Sequence, residues 1–324
     1  MDRRAFLGTL AGSLLAAPLA AEAQPARVYR VGVILQGGPY FQAVDGLRAG
    51  LRDLGLEEGK QIILLVRDAK GDLKAVEAAA RELEQDRVDL IYAVTTSVTL
   101  ATKRVTKSVP IVFYAGADPV AQGLVQSYRK PGGRLTGIHG QLTDVTAKRL
   151  ELLKEMVPKA RRVGAFYTPD NPAAEQSVQF ARDAARQLRV ELVERRVASV
   201  EGLRASLREL RPREVDALLY VSDAMVGSQA ALIIETAREK RLPTIFQDPA
   251  NVDHGALASY GFSYRTAGRL SAKLVQRVLL GANPGDMPIE QLDTLHFAIN
   301  LKTAKALGLT IPPALLQRAD QVIE

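Results

Sequence analysis

The feature that most constrains the fold is an alternation of strand-like and helix-like segments along most of the chain. Short apolar segments rich in β-branched residues, such as 28–35 and 90–94, alternate with segments whose apolar residues recur at helical spacing, such as 41–54. Strands that are separated by helices form parallel sheets with helices on both faces. The first half therefore reads β-α-β-α-β-α-β and ends in a strand over 111–114.

The same alternation starts again after a predicted helix over 148–156. Strands are predicted over 162–167, 191–196, 217–221 and 244–246, with helices over 173–188, 200–210 and 228–240. Two successive halves of similar length, each able to bury its own core, predict an α/β fold of two Rossmann-like lobes with parallel sheets and a cleft between them. The segment 136–142 is the first expected crossing between the lobes. A further helix over 266–280 and a strand and helix within 295–307 complete the pattern.

The first 23 residues have the pattern of an export signal. Arg3 and Arg4 precede an apolar run over 5–20, and Ala21-Glu22-Ala23 is a small-residue cleavage site. The apolar run is shorter than the ~20 residues that a bilayer crossing needs. We therefore expect cleavage after Ala23 and a periplasmic protein. Arg-Arg-x-Phe-Leu resembles the twin-arginine export signal, and the general secretory route is the alternative.

Composition excludes several kinds of site. The chain has no cysteine, which excludes disulfides, thiolate nucleophiles and cysteine-ligated zinc or iron–sulfur clusters. His139, His254 and His296 lie far apart in the sequence without metal-ligand spacing, so we expect no metal and no cofactor. The net charge of +7 is mild, and basic residues are interleaved with acidic ones, so we expect no nucleic-acid partner.

The candidate site residues are those that follow the predicted strands, because ligands of open parallel sheets bind beyond the carboxyl ends of the strands. Hydroxyls, amides and aromatic rings dominate among them, a mixture that suits hydrogen bonding and stacking of a small polar or aromatic molecule. The candidate ligand-binding residues are Gln36, Tyr40, Thr95, Thr96, Ser97, Tyr114, Asp118, Tyr167, Thr168, Asn171, Ser222, Asp223, Gln247 and Tyr260.

Most of these positions also have a purely structural interpretation. The hydroxyls of residues 95–97 can cap the helix that follows them, and Ser222-Asp223 can start a helix. Asp118, before a proline, can form a turn. Tyr114 and Tyr167 can be rim aromatics without a ligand. The sequence alone leaves these alternatives open.

The sequence does not predict an enzyme. No histidine follows a predicted strand of the two core sheets, and the chain has no G-x-S-x-G, P-loop or dinucleotide fingerprint. Asp118 and Asp223 could pair across a cleft, but two aspartates at strand ends are more often caps or ligand anchors. The charged helix over 148–155 is expected to present an ordinary solvated face. We therefore expect no catalytic residues.

Longer motifs carry a resemblance that covers nearly all of the chain from Val28 onward. They are Ile111-Val112-Phe113, Asp118-Pro119-Val120, Gly123-Leu124-Val125, Lys130-Pro131-Gly132-Gly133, Leu135-Thr136-Gly137, Arg149-Leu150-Glu151-Leu152-Leu153-Lys154, Gly255-Ala256-Leu257-Ala258-Ser259-Tyr260-Gly261 and Asn300-Leu301-Lys302-Thr303-Ala304. Together these motifs resemble the substrate-binding protein family of ABC transporters with the type I periplasmic binding fold. This family includes tryptophan- and tyrosine-binding proteins.

The resemblance implies two lobes joined by three crossovers, with the ligand in the cleft. The N-terminal lobe would comprise 28–138 and 262–283, and the C-terminal lobe 139–261 and 284–324. It also implies a monomer that binds a small-molecule solute and delivers it to the membrane permease of an ABC importer. The alternative is a sensory protein that presents its solute to a receptor or kinase.

The chain departs from the family pattern in the second lobe. Ala224 stands where the family often has an asparagine, in a Thr-Asp-Asn-Thr motif, and Thr168 replaces another common asparagine. Pro249-Ala250 stands where an acidic run is common. These departures remove polar partners from one half of the cleft. Our hypothesis is therefore a less polar or aromatic solute rather than an amino acid.

Overall fold

Two separate sheets, one in each lobe, organise the part of the chain that the structure, a computed structural model, describes: residues 27–324. The predicted signal peptide over 1–23 lies outside the described residues. In chain order the strands are β1 (Tyr29–Leu35), β2 (Ile62–Asp68), β3 (Leu90–Val94), β4 (Ile111–Ala115), β5 (Leu135–His139), β6 (Arg162–Tyr167), β7 (Glu191–Arg196), β8 (Ala217–Leu219), β9 (Thr244–Phe246), β10 (Ala258–Gly261), β11 (Glu290–Gln291), β12 (His296–Asn300) and β13 (Gln321–Ile323).

Helices lie between most of these strands and cover the sheets. In chain order they are α1 (Phe41–Asp53), α2 (Leu73–Gln85), α3 (Thr96–Val105), α4 (Thr146–Met156), α5 (Pro172–Leu188), α6 (Val200–Glu209), α7 (Ala224–Ser228), α8 (Ala230–Glu239), α9 (Ala250–Asp253), α10 (Tyr264–Leu279), α11 (Leu301–Ala306) and α12 (Pro313–Arg318). Side-chain oxygens cap several of them, such as Asp72 at α2, Asn171 at α5 and Ser263 at α10.

The strand order of each sheet creates a crevice at the carboxyl ends of its central strands. The first sheet has the order β11-β5-β4-β3-β1-β2 and is parallel throughout. The second has the order β13-β12-β10-β9-β8-β6-β7, in which β12 runs antiparallel to β10. The direction of winding reverses between β1 and β3, and again between β6 and β8. Ligands of such sheets bind beyond the carboxyl ends of the strands at these reversals.

Each lobe buries apolar side chains on both faces of its sheet. In β1, for example, Val31 and Val33 belong to one apolar cluster and Ile34 to the cluster on the opposite face. Such two-sided burial explains why the central strands read as nearly continuous apolar runs. No helix within residues 27–324 combines the length and the apolar character that a membrane crossing requires.

The helix α10 returns to the first lobe, where it packs closely against α1. A Cβ atom on Gly46 would lie 1.9 Å from the carbonyl oxygen of Arg265, and one on Gly268 would lie 1.9 Å from that of Ala43. The two glycines therefore permit the backbones of α1 and α10 to approach closely.

Two short segments differ from the predicted organisation. Residues 135–139, which overlap the expected first crossing, form the buried strand β5, and the chain crosses to the second lobe only between β5 and α4. Residues 290–291 pair with β5, so the chain stays with the first sheet beyond the predicted boundary at 283. Both segments are held by backbone pairing to neighbouring strands, and short or mixed segments of this kind carry little hydrophobic periodicity.

Candidate ligand-binding site

A small pocket of about 30 Å³ lies between the lobes beyond the carboxyl ends of the central strands. Both lobes contribute to its wall. The lining residues are Tyr40, Thr95, Thr96, Ser97, Tyr114, Gly116, Leu142, Asn171, Ala173, Tyr220, Ser222, Ala224, Gln247 and Tyr264. A wider groove of about 930 Å³ shares Ser97 and Asn171 with the pocket and also includes Gln36 and Thr168.

The first lobe contributes the N-terminus of α3. Thr95 precedes this helix with φ 93° and ψ 157°, a backbone conformation that a β-branched residue adopts only under strain. Its side chain makes no capping hydrogen bond. The hydroxyl of Thr96 instead accepts from the backbone N–H groups of Gly116 and Ala117, both at 3.1 Å. Simple helix capping therefore does not explain the hydroxyls at the start of α3.

Four buried tyrosines meet at the pocket. The ring of Tyr264 packs edge-on against Tyr40 and Tyr114, at centroid distances of 4.9 and 5.9 Å. The hydroxyl of Tyr220 donates to the carbonyl oxygen of Asp223 at 2.8 Å. The hydroxyls of Tyr40 and Tyr220 lie close together, since a Cβ atom on Gly227 would be 2.4 Å from the first and 2.6 Å from the second. Because burial raises the pKa values of all four tyrosines, their hydroxyls stay protonated.

These tyrosines come from both lobes: Tyr40, Tyr114 and Tyr264 belong to the apolar core of the first lobe and Tyr220 to that of the second. Gln247 of the second lobe also donates from Nε2 to the hydroxyl of Tyr264. Only the hydroxyl of Tyr114, among the four tyrosines, is buried without a hydrogen-bond partner.

Arg149 of α4 lies fully buried behind the pocket wall. Its guanidinium donates to the carbonyl oxygens of Leu142 and Tyr220, at 2.7 and 3.2 Å, and to the hydroxyl of Thr146 at 2.9 Å. No ion pair with a carboxylate forms among the described residues, and Nε has no acceptor. Burial lowers the pKa of Arg149 to about 10, so the side chain stays charged at neutral pH.

The prediction of a solvated face for 148–155 is therefore wrong at Arg149. The apolar residues Leu152, Leu153 and Met156 follow Arg149 at helical spacing and are buried with it. This arginine in an apolar stripe was the sequence signal for a buried cation. Lys148 and Glu151, in contrast, form a partly exposed ion pair, as a solvated face would.

Two predicted acids lie outside the pocket lining. Asp223 is buried and accepts from the N–H groups of Val226 and Thr168, at 3.0 and 2.8 Å, and from the amide of Asn171. It thereby caps α7 and ties together the loops after β6 and β8. Asp118 accepts from Val120 and Ala121 in a turn.

Neither aspartate is placed for acid–base chemistry in the pocket. Partial burial works against the ionised form of Asp118, but hydrogen bonds from the Ala121 backbone and from Tyr128 outweigh it and lower the pKa of Asp118. Both carboxylates therefore serve loop structure in the conformation described.

The remaining predicted residues divide between the groove and parts of the second lobe away from the pocket. Gln36 and Thr168 line the groove, and each has a buried side-chain oxygen without a partner. Tyr167 donates its hydroxyl to Glu194 at 2.8 Å, away from the pocket. Tyr260 packs against the ring of Phe297, at a centroid distance of 6.1 Å, and does not line the pocket.

Sequence reasoning missed two of the pocket tyrosines. The sequence predicts a strand over 217–221, but β8 ends at Leu219 and leaves Tyr220 in the pocket lining. Tyr264 opens α10, which begins earlier than the predicted helix over 266–280. Ser263, whose side chain caps α10, was the signal that marks this earlier start.

The lobes touch at glycines beside the pocket. Gly38 has φ +58°, and a Cβ atom there would lie 2.3 Å from the carbonyl oxygen of Ser228 in the second lobe. Gly71 has φ +88°, and its Cβ atom would lie 2.6 Å from Val200. Only glycine fits these positions while the lobes are in contact.

Comparison with solved structures gives different scores for a ligand-bound and a ligand-free relative. The chain has a TM-score of 0.81 to an ABC domain from Streptococcus pneumoniae in complex with L-Trp, at 25% identity, covering 91% of this chain and 100% of that one. The score falls to 0.60 for a ligand-free, open substrate-binding protein from Clostridium difficile, at 27% identity and coverage of 91% and 99%. The structure of this chain is therefore more similar to that ligand-bound protein than to that open one.

Sequence comparison identifies the family. The family model described as ABC transporter substrate binding protein matches residues 30–323. A tyrosine-binding protein of Clostridioides difficile is 31% identical over 268 residues, which cover 83% of this chain and 77% of that protein. These matches confirm the resemblance and, with the solved structures, the α/β type I periplasmic binding fold. The chain belongs to the substrate-binding protein family of ABC transporters.

Proposed function

We propose that this chain is the periplasmic solute-binding component of an ABC importer. A small polar or aromatic molecule binds in the interlobe pocket, and the closed protein delivers it to a membrane permease. The observation that carries the proposal is that side chains of both lobes line one pocket. A ligand that contacts both walls stabilises the closed arrangement relative to the open one.

The proposed ligand contacts are the predicted residues that line the pocket, with Tyr220 and Tyr264 added. The predicted ones are Tyr40, Thr95, Thr96, Ser97, Tyr114, Asn171, Ser222 and Gln247. The proposed function is binding without turnover, since the acids predicted at strand ends, Asp118 and Asp223, are occupied by backbone N–H groups.

The proposal also includes the export of the protein and the boundaries of its two lobes. The signal over 1–23 supports a periplasmic protein that is cleaved after Ala23 and exported by the twin-arginine route. The sheet pairings support a first lobe of 28–138 with 262–291 and a second of 139–261 with 292–324. The working unit is a monomer.

A thermal-shift screen tests solute binding. The protein is denatured and refolded to remove any bound molecule, then screened against aromatic amino acids, aromatic acids, nucleosides and small sugars. Tyrosine and tryptophan come first because relatives are named for binding them. A ligand at 100 times its Kd raises the free energy of unfolding by about 2.7 kcal/mol.

Small-angle scattering on the same samples tests closure. A solute that raises Tm is expected to reduce the radius of gyration, because closure brings the lobes together. Stabilisation without compaction would contradict the closure mechanism. The absence of stabilisation by any member of the panel would contradict binding of the proposed solute class.

A further inference from the structure

The buried charges around the pocket differ in how they are compensated. Among the described residues that line the pocket, none is acidic. Asp223 and Asp248 lie behind the wall, and both are occupied: Asp248 accepts from the backbone N–H groups of Ala250 and Tyr264, at 2.9 and 2.7 Å. Arg149 has only neutral acceptors, and its Nε–H has none.

Hydrogen-bond donors remain free at the pocket itself. The N-terminus of α3, a helix of 10 residues, faces the pocket through Thr95, Thr96 and Ser97 and has no cap from the Thr95 side chain. Backbone N–H groups at such an end carry partial positive charge and bind anions. Independently, the hydroxyl of Tyr114, a fully buried donor in the same pocket, has no partner.

Arg149 reinforces these donors from behind. Its guanidinium lies over the ring of Tyr220, 5.8 Å from the ring centroid, and its charge also acts on Tyr114 and Tyr264. The buried Asp248 acts on the same two tyrosines, but its carboxylate is held by backbone N–H groups. A negative group placed between Tyr114 and α3 would offset the desolvation of this cation. An ammonium group there would instead meet a like charge and, within the described lining, no carboxylate.

We propose that the solute is a small organic carboxylate without a charged amine, bound through its carboxylate by the α3 N-terminus and the Tyr114 hydroxyl. Its apolar part packs against the rings of Tyr40, Tyr220 and Tyr264. This inference rests on the proposed solute-binding function and names the chemical class of the solute.

Matched compounds test the charge requirement. Isothermal titration of the refolded protein compares 3-phenylpropionate, L-phenylalanine and 2-phenylethylamine, which share a ring and differ in charged groups. The indole series of indole-3-propionate, L-tryptophan and tryptamine repeats the comparison. We expect the acid to bind at least about 10-fold more tightly than the amino acid in the series that fits, a difference of about 1.4 kcal/mol, and the amine to bind weakest.

Other outcomes separate this inference from the proposed function. Tighter binding of an amino acid or an amine would overturn the carboxylate inference and leave solute binding intact. Binding of a sugar or nucleoside from the wider panel, with no binding of either acid, would have the same meaning. No binding by any compound in either test would count against both.

A pair of tyrosine variants tests the placement of the carboxylate. Tyr114→Phe removes the unpartnered hydroxyl and is expected to weaken binding of the acid by about 10-fold or more, the usual effect of a hydrogen bond to a charged group. Tyr92→Phe is the control, because Tyr92 is also a buried hydroxyl without a partner but does not line the pocket. Equal affinities of the two variants, with both folded by circular dichroism, would overturn the placement.

Discussion

Two arginines of the second lobe lie beside tyrosines in opposite electrostatic settings. Arg182, near the outer surface, makes a two-pronged ion pair with Glu194, with both nitrogen–oxygen distances at 2.8 Å, and lies near the Tyr167 hydroxyl. Arg149, behind the pocket, lies over the ring of Tyr220 and donates to neutral oxygens. We call Arg182, Glu194 and Tyr167 the outer cluster, and Arg149 and Tyr220 the inner cluster. Arg182 has its own counter-charge, whereas Arg149 pairs with no carboxylate among the described residues. The buried carboxylates near the pocket tyrosines, Asp223 and Asp248, accept backbone N–H groups instead.

The pKa values follow this difference. The hydrogen bond with Glu194 is the largest influence on Arg182 and raises its pKa, while the same contact lowers the pKa of Glu194. Burial is the largest influence on Arg149 and lowers its pKa. A buried charge whose pKa is shifted by desolvation and that has no charged partner is typical of a functional site. A paired charge near the surface is an ordinary structural feature.

The largest expected effect concerns the contact between the lobes at Gly38. Gly38→Ala places a Cβ atom 2.3 Å from the Ser228 carbonyl oxygen and prevents full closure. We expect affinity for the solute identified by the thermal-shift screen to fall by about 100-fold, which corresponds to about 2.7 kcal/mol. Calorimetry measures the change in affinity.

The control for this variant is Gly133→Ala. Gly133 has a similar φ of +65°, but a Cβ atom there meets nothing within 4 Å. Both variants carry a similar backbone strain of about 1–2 kcal/mol, and only Gly38→Ala affects closure. Equal affinities of the two variants would show that the contact between Gly38 and Ser228 is not needed for binding.

The next effect tests the two arginines directly. Arg149→Gln removes the uncompensated cation, and we expect affinity for an acidic solute to fall by about 10-fold, because a buried charge behind the wall stabilises the carboxylate without contacting it. Arg182→Gln should leave affinity unchanged, because Arg182 is already paired. Calorimetry compares both variants with the unsubstituted protein.

Arg149→Lys distinguishes the effect of the positive charge from that of the hydrogen bonds that hold the pocket wall. Lysine keeps the positive charge but not the fork of donors, so it should restore part of the affinity if the charge attracts the solute. Full affinity in Arg149→Gln would mean that Arg149 only supports the carbonyl groups of Leu142 and Tyr220.

The smallest effect is a difference in pH dependence. Glu194→Gln removes the counter-charge of Arg182 and should cost at most about 1 kcal/mol at pH 7, because the pair is partly exposed. The pKa of Glu194 is lowered in the folded protein, so its stabilisation is present above the unfolded pKa and is lost as pH falls through the folded pKa. Urea denaturation at several pH values should show the difference disappear in acid.

Tyr220→Phe is the matched test for the inner cluster. It removes the hydrogen bond to the Asp223 carbonyl and should cost about 1 kcal/mol. Because Tyr220 stays neutral in both states across acidic and neutral pH, this loss should not vary with pH. A cost that changes with acid would show that an ionised group contributes to the inner cluster.

The regular part of the fold was accessible from local pattern. The apolar run of β1 and the helical spacing of α1 and α2 predict their elements closely, because burial imposes a period on neighbouring residues. The short elements α9 and β13 were not predicted, since they are held by their neighbours rather than by their own sequence.

Part of the candidate site could be predicted from the sequence, because site residues follow the strands of a parallel sheet. Thr95, Ser97 and Ser222 follow strands, and the topology of a parallel sheet brings such residues to one edge. That rule does not determine where a side chain points. Asp223 also follows a strand, yet its carboxylate turns to backbone N–H groups of two loops.

The sequence by itself determined that this chain forms two α/β lobes of a known binding family, because periodicity and motifs are properties of neighbouring residues. Only the tertiary structure decided which polar groups are paired and which remain free for a solute. Arg149 receives its acceptor at Tyr220 from 71 residues away, and Gly38 meets Ser228 across the cleft. Pairing of this kind depends on distances that exist only once both lobes are folded and in contact.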